Sequence, residues 1–379
     1  MSTTCEFQLN NSNAVYYSGD TVSGTIVLKT ISPVVVKDIC IIFRGEGKVN
    51  WSETERRRIS NGTYGNHTVY FKSNELYVNN TTTVHGQGTL PAGINTYTFH
   101  ILLPLQCPTS YEGRWGHIRY ELKLKLNRPS DNDIDFSIPL SIIKRIDLNL
   151  NPAIRIPMEC EDIFSPCFLS CSSGSINTTL TVPFSGYAIG QTVQYSLYIK
   201  NQTMDDIYGY TLEFIRDITY TVRTPHYKTR QDKRILTTKS YSDQCLRLST
   251  RLFEGNFNIG STPPTTENNS IISVQYTLKI DLNIDNCSSD NIITVPIFIG
   301  TIPLRETPID VIVNDPIIGV ASQNVRRGND LPPSYQELGP PTFEEAIRCN
   351  SPFIDINRSD HNRHVDFRPL YPMYSQSDN

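Results

Sequence analysis

The chain has 379 residues, of which 38% are hydrophobic and 19% charged, and a formal net charge of -4. At about 150 residues per domain this allows two or three domains with an ample core, and it is too apolar for a wholly disordered chain. The acidic balance argues against a nucleic-acid binder, which draws on surplus Lys and Arg.

The opening MSTTCEFQLN has no basic end followed by an apolar run, and no stretch approaches about 18 apolar residues. The expectation is a cytoplasmic protein without a membrane span, its nine scattered cysteines free thiols in a reducing compartment. Asn-x-Ser/Thr triplets at Asn61, Asn66, Asn80, Asn201 and Asn268 are then chance products of an Asn- and Thr-rich chain. Apolar and β-branched residues alternate along Thr21–Leu28, Val34–Phe43, Tyr97–Leu103 and Ile118–Leu126, all read as strands. The same pattern returns at Val193–Ile199, Gly209–Ile215, Gln244–Phe253 and Ile271–Leu282. Gly, Pro and Asn punctuate these runs, and no long helical pattern interrupts them, which predicts antiparallel sandwiches.

Basic residues gather at Arg56, Arg57 and Arg58, and again from Arg223 to Arg234, where Arg223, Lys228 and Arg230 are candidates. Such runs are usually solvated loops, but they could also meet acidic lipid headgroups or phosphorylated tails. Cys160, Cys167 and Cys171 lack a nearby His or a second pair, so no metal site is expected. Trp51 and Trp115 read as core or near-core aromatics. After about Leu304 the alternation fades, apart from a short candidate strand at Ile309–Val313, and residues 316–379 read as a disordered tail.

Four landmarks occur twice in the same order. Tyr16–Val22 and Tyr187–Val193 share Y-x-x-G-x-T-V; IRYELKLKL from Ile118 parallels VQYTLKIDL from Val274. Each of the latter precedes a strand with an internal Pro, FSIPLSII from Phe136 and ITVPIFIG from Ile293. Gly19 and Gly190 should occupy tight turns at positive φ. Pro139 and Pro296 cannot donate to a ladder and should lie at an edge or bulge. The repeat implies two copies of one domain: 1–148 and 157–315, joined by a linker at 149–156.

Several segments carry a family likeness: VYYSGDTVSGTIVL from Val15, RGEGKVNW from Arg44, CPTSYEGRWGHIRYELK from Cys107 and the joining segment Pro139–Pro157. With two proline motifs in the tail, the chain resembles the α-arrestins, the arrestin domain-containing proteins. The resemblance implies an all-β fold of two tandem arrestin-like, immunoglobulin-type antiparallel sandwiches. It also implies an adaptor, peripheral to plasma membrane and endosomes, that links transmembrane cargo to WW-domain HECT-class ubiquitin ligases. A sorting or coat scaffold, similar to the retromer subunit of arrestin fold, is the alternative and would leave the tail incidental.

The tail motif Leu331-Pro332-Pro333-Ser334-Tyr335 is a PPxY. Two prolines preset φ near −65° and favour polyproline II, the form that an aromatic WW groove accepts. Tyr335 would fill the adjacent pocket and hydrogen-bond through its hydroxyl, with Leu331 as a flanking contact. A weaker copy, Pro340-Pro341-Thr342-Phe343, begins eight residues on and has Phe in place of Tyr. It loses one hydrogen bond, worth ~0.5–1.5 kcal/mol. At ~3.1 Å per residue the copies span about 25 Å, marginal for two WW domains at once. No G-x-S-x-G, H-E-x-x-H or phosphate loop is present, so the sequence offers neither an enzyme nor a cofactor site.

Overall fold

The structure is a computed structural model that describes residues 3–58, 64–129, 132–164, 174–266, 270–284, 291–305 and 367–373. Its first half runs β1 (Thr3–Leu9), β2 (Val15–Tyr17), β3 (Thr21–Thr30), β4 (Val34–Val36), β5 (Asp38–Arg58), β6 (Tyr64–His85), β7 (Gly88–Leu90), β8 (Gly93–Leu102), β9 (Tyr111–Gly113), β10 (Gly116–Asn127) and β11 (Ile134–Ile143). Two 3-10 turns, Leu148–Leu150 and Pro152–Arg155, lead into the second half. That half holds β12 (Met158–Phe164), β13 (Ile176–Val182), β14 (Gly186–Ala188), β15 (Thr192–Asn201), β16 (Ile207–Val222), β17 (Lys228–Tyr241), β18 (Ser249–Asn258), β19 (Ile272–Ile284) and β20 (Ile292–Gly300).

Each half is a two-sheet sandwich. The first stacks β1-β3-β8 on β2-β11-β10-β5-β6, with β9 added to β10 and a small β4-β7 pair. The second has β12-β13-β15-β18 and β14-β20-β19-β16-β17. The cores follow from period-two alternation. On β10 it buries Ile118, Tyr120, Leu122, Leu124 and Leu126, and on β19 Val274, Tyr276, Leu278, Ile280 and Leu282. Each such side chain contributes about 1.5–3 kcal/mol by leaving water.

The internal repeat is physical. Gly19 has φ +88° and Gly190 φ +94°, each in the turn that opens β3 or β15. The short strands before those turns, β2 and β14, pair in parallel with the ends of β11 and β20. That parallel pairing begins at Ser141 and at Phe298, two residues past Pro139 and Pro296. Both prolines are paired only on the other side, with Glu121 and Thr277. Each therefore sits on a local edge, where a missing N–H costs no ladder bond. A corner also repeats: the Tyr120 hydroxyl donates to the Pro108 carbonyl at 2.7 Å, and the Tyr276 hydroxyl donates to that of Pro263. Beside each corner a hydroxyl accepts from a strand amide, Ser110 from Ile142 at 2.9 Å and Thr265 from Ile299 at 2.8 Å.

The structure corrects several sequence expectations. Val34–Phe43 is two strands in different sheets, because the chain changes sheets at Lys37, whose amide donates to the Asn127 carbonyl. The first part of Gln244–Phe253 is a connection, with Cys245 bridged to Ile207 and Leu248 at φ +55°, and β18 starts only at Ser249. Most of Arg223–Arg234 is strand β17 rather than loop; it is polar on both faces because it is an edge strand, paired only with β16. The polar strands β6 and β12 lacked the expected alternation for the same reason: their outer faces meet solvent. Ile309–Val313 lies outside the described residues.

Candidate functional site

The long β5-β6 and β16-β17 hairpins bring the two sandwiches together. Lys72 on β6 and Thr224, in the β16-β17 connection, form an antiparallel bridge, with N–H···O distances of 3.0 and 3.3 Å. Around it lies an aromatic and cationic seam. Trp51 stacks on Phe71, and His226 meets the Phe71 ring edge-on at 5.2 Å. Lys228 lies 4.8 Å over Phe71 and pairs with Glu53, which also accepts from the Trp51 indole at 2.9 Å. The Lys228 hydrogen bond, then that from Trp51, holds the Glu53 carboxyl below its usual range. Arg230 projects over Trp115 at 4.5 Å and Trp51 at 5.8 Å.

The run from Tyr111 to Tyr120 builds the other side of the seam. Tyr111 and Tyr220 share a hydroxyl hydrogen bond of 3.0 Å, and Trp115 meets Tyr220 edge-on at 5.5 Å. Gly113 is required by proximity: a Cβ there would stand 2.1 Å from the Tyr220 hydroxyl. Glu112 is held by Arg119, whose Nη2 donates at 2.9 Å. Tyr111, Gly113 and Trp115 of the YEGRW run therefore form a domain-docking surface, while Ile118 and Tyr120 serve the core and corner of the first sandwich.

The polar joining segment has an equally specific use. Ile146 donates to the Thr301 hydroxyl at 2.7 Å and accepts from the Thr301 and Ile302 amides. Asn149 donates to the Pro303 carbonyl at 2.8 Å and accepts from the Arg305 amide at 2.8 Å and from Arg155 at 2.9 Å. These bonds tie residues 301–305 to the joining segment.

Residues 367–373 run along the body. Leu370 donates its amide to Ser141 Oγ at 3.2 Å, and the Tyr371 hydroxyl donates to the Ser110 carbonyl at 2.9 Å. Ser261, in the other sandwich, donates its hydroxyl to the Tyr371 carbonyl at 3.0 Å.

The candidate residues divide accordingly. Leu331, Pro332, Pro333 and Tyr335, and Pro340, Pro341 and Phe343, lie outside the described residues, as do Cys167 and Cys171. Arg56 is exposed and covers the Tyr64 ring at 5.4 Å; Arg57 and Arg58 end β5, their side chains outside the described set. Arg223 lies 3.7 Å from Glu75, and Lys228 and Arg230 belong to the seam. Among the described residues no His, Cys, Asp and Glu cluster could hold a metal, and Cys5, Cys40, Cys107, Cys160 and Cys245 are free. Sequence reasoning quoted the segments that hold Tyr111 and Asn149 without giving either residue a role, and it passed over Tyr220 and Tyr371; a tyrosine between two prolines, Pro-Leu-Tyr-Pro, was the visible signal for the last.

Two sandwiches of one repeated topology, joined along such a seam, point to one architecture. Residues 5–149 match the family model of the arrestin (or S-antigen) N-terminal domain, and residues 172–304 that of the arrestin C-terminal domain. The chain belongs to the α-arrestin family. It is 26% identical over 307 residues to arrestin domain-containing protein 17 of Caenorhabditis elegans, covering 79% of this chain and 70% of the relative. It is 22% identical to arrestin domain-containing protein 1 of Mus musculus, covering 80% of this chain and 65% of that one. Against the Homo sapiens protein of that name, identity is 22% over 378 residues, with 98% and 79% covered. In this α-arrestin the family-like segments are those that build the turns, corners and seam.

Proposed function

We propose that this α-arrestin is a non-enzymatic trafficking adaptor that links transmembrane cargo to WW-domain ubiquitin ligases of the HECT class. Its arrestin domain-containing relatives support an adaptor role in trafficking. The ligase arm rests on one observation: a PPxY stands at Leu331–Tyr335, after the second arrestin domain at 172–304. Pro332 and Pro333 would lie in the aromatic groove and Tyr335 in the adjoining pocket. Pro340, Pro341 and Phe343 would serve as a weaker second site. The sandwich faces would hold cargo at the cytoplasmic side of plasma membrane or endosomes, for ubiquitination followed by internalisation or sorting. Arg56 and Arg223, both exposed, are the first residues to test for contact with acidic headgroups.

The deciding experiment is calorimetry of a 331–343 peptide and its Tyr335→Ala form against a panel of WW domains. A single PPxY site should bind at about 1–100 μM, or ~5.5–8 kcal/mol, and the Ala form should not bind. Absence of binding by both peptides would remove the ligase arm and leave a sorting scaffold that acts through its sandwich faces.

A further inference from the structure

Phe367–Met373 lies on the body. The docked segment touches both sandwiches: Ser110 and Ser141 belong to the first, Ser261 to the second. Ser110 and Ser261 flank the repeated corners, in which Tyr120 holds Pro108 and Tyr276 holds Pro263. The segment thus bridges the same corner loop in both copies of the domain.

Its chemistry suits such a bridge. Pro369 and Pro372 restrict the backbone on both sides of Tyr371, which lowers the ordering cost of docking. The Tyr371 ring packs against the buried cluster, and burial pushes its phenol well above the usual value. Beneath it, Thr262 bonds the Tyr276 hydroxyl at 2.7 Å and lies 3.4 Å from Arg216, whose buried Nε has no partner among the described residues. Three polar groups of this segment bond to the body: the Tyr371 hydroxyl to a carbonyl, the Leu370 amide to a hydroxyl, and the Tyr371 carbonyl to a hydroxyl.

We propose that residues 367–373 are an interdomain clamp. It holds the two sandwiches in one relative pose. Release of the clamp would free the seam to hinge. The proposal does not depend on what the PPxY recognises.

The test is amide hydrogen exchange on the full chain, comparing wild type, Tyr371→Phe and Tyr371→Ala. Leu370 reports docking directly, because its amide is bonded to Ser141. Lys72 and Thr224 report the seam, and Leu124 in the first core serves as an internal folding control. In wild type, Leu370 should exchange at least about tenfold more slowly than in a free 365–379 peptide. Tyr371→Ala should return it to the peptide rate and speed exchange at Lys72 and Thr224 several-fold, with Leu124 unchanged; Tyr371→Phe should fall between. Leu370 exchanging at the peptide rate in wild type, or equally protected in wild type and Tyr371→Ala, would overturn the docking. Loss at Leu370 with no change at Lys72 and Thr224 would overturn the clamp.

Discussion

Arg230 and Trp115 offer a quantitative test of the seam. Arg230 rises from β17 of the second sandwich and covers Trp115, of the first, at 4.5 Å; Trp115 in turn meets Tyr220 edge-on at 5.5 Å. A half-exposed cation–π contact is worth ~0.5–2 kcal/mol, and an edge-on aromatic pair ~0.5–1.5 kcal/mol. Arg230→Ala removes the first and should cost about 0.5–2 kcal/mol. Trp115→Ala removes both and should cost about 1–3.5 kcal/mol. The double variant should be less damaging than the sum, because the cation–π contact is lost only once. The expected coupling is ~0.5–1 kcal/mol. Urea unfolding, followed by tryptophan fluorescence and by circular dichroism, reads these values. Two domains can unfold in separate steps, so the coupling is taken from whichever transition shifts. Coupling below about 0.3 kcal/mol would show that Arg230 does not rest on Trp115 in solution.

Gly113→Ala should destabilise the seam by about 1–3 kcal/mol, since its Cβ would fall 2.1 Å from the Tyr220 hydroxyl; an unchanged urea midpoint would mean the sandwiches stand further apart. The Glu53 carboxyl titrates lower in the folded chain than in the unfolded one, so its stabilisation is complete above the usual carboxylate range and fades as pH falls through the folded value. Glu53→Gln should therefore lower Tm at pH 7 and leave it nearly unchanged near pH 2, and equal losses at both would refute the pairing with Lys228. Phosphate on Tyr335 would bring ~1.5–2 negative charges to a pocket-filling ring and should abolish binding of the 331–343 peptide to WW domains; calorimetry with the phosphopeptide checks it.

Local pattern and spacing were enough for much of the molecule. Period-two alternation marked β10 and β19 and their buried faces, because one side of each meets a core. The paired landmarks gave two copies of one domain, and Gly19, Gly190, Pro139 and Pro296 announced turns and edges through constraints on their own backbone. The PPxY is a reading from local chemistry of the same kind and lies outside the described residues. Other features needed partners distant in sequence. The edge strand β17 carries no apolar rhythm and β6 only a short one around Val69 and Phe71, since solvent covers much of both. Trp115 reads as a core residue until Arg230 arrives from the other sandwich. The polar linker makes sense only beside Thr301 and Pro303. Tyr371 belongs to a tail by composition and to the body by three hydrogen bonds around it, to Ser110, Ser141 and Ser261. A residue's own chemistry dictates its local geometry, whereas a seam depends on two surfaces fitting each other, and neither stretch of sequence carries that fit alone.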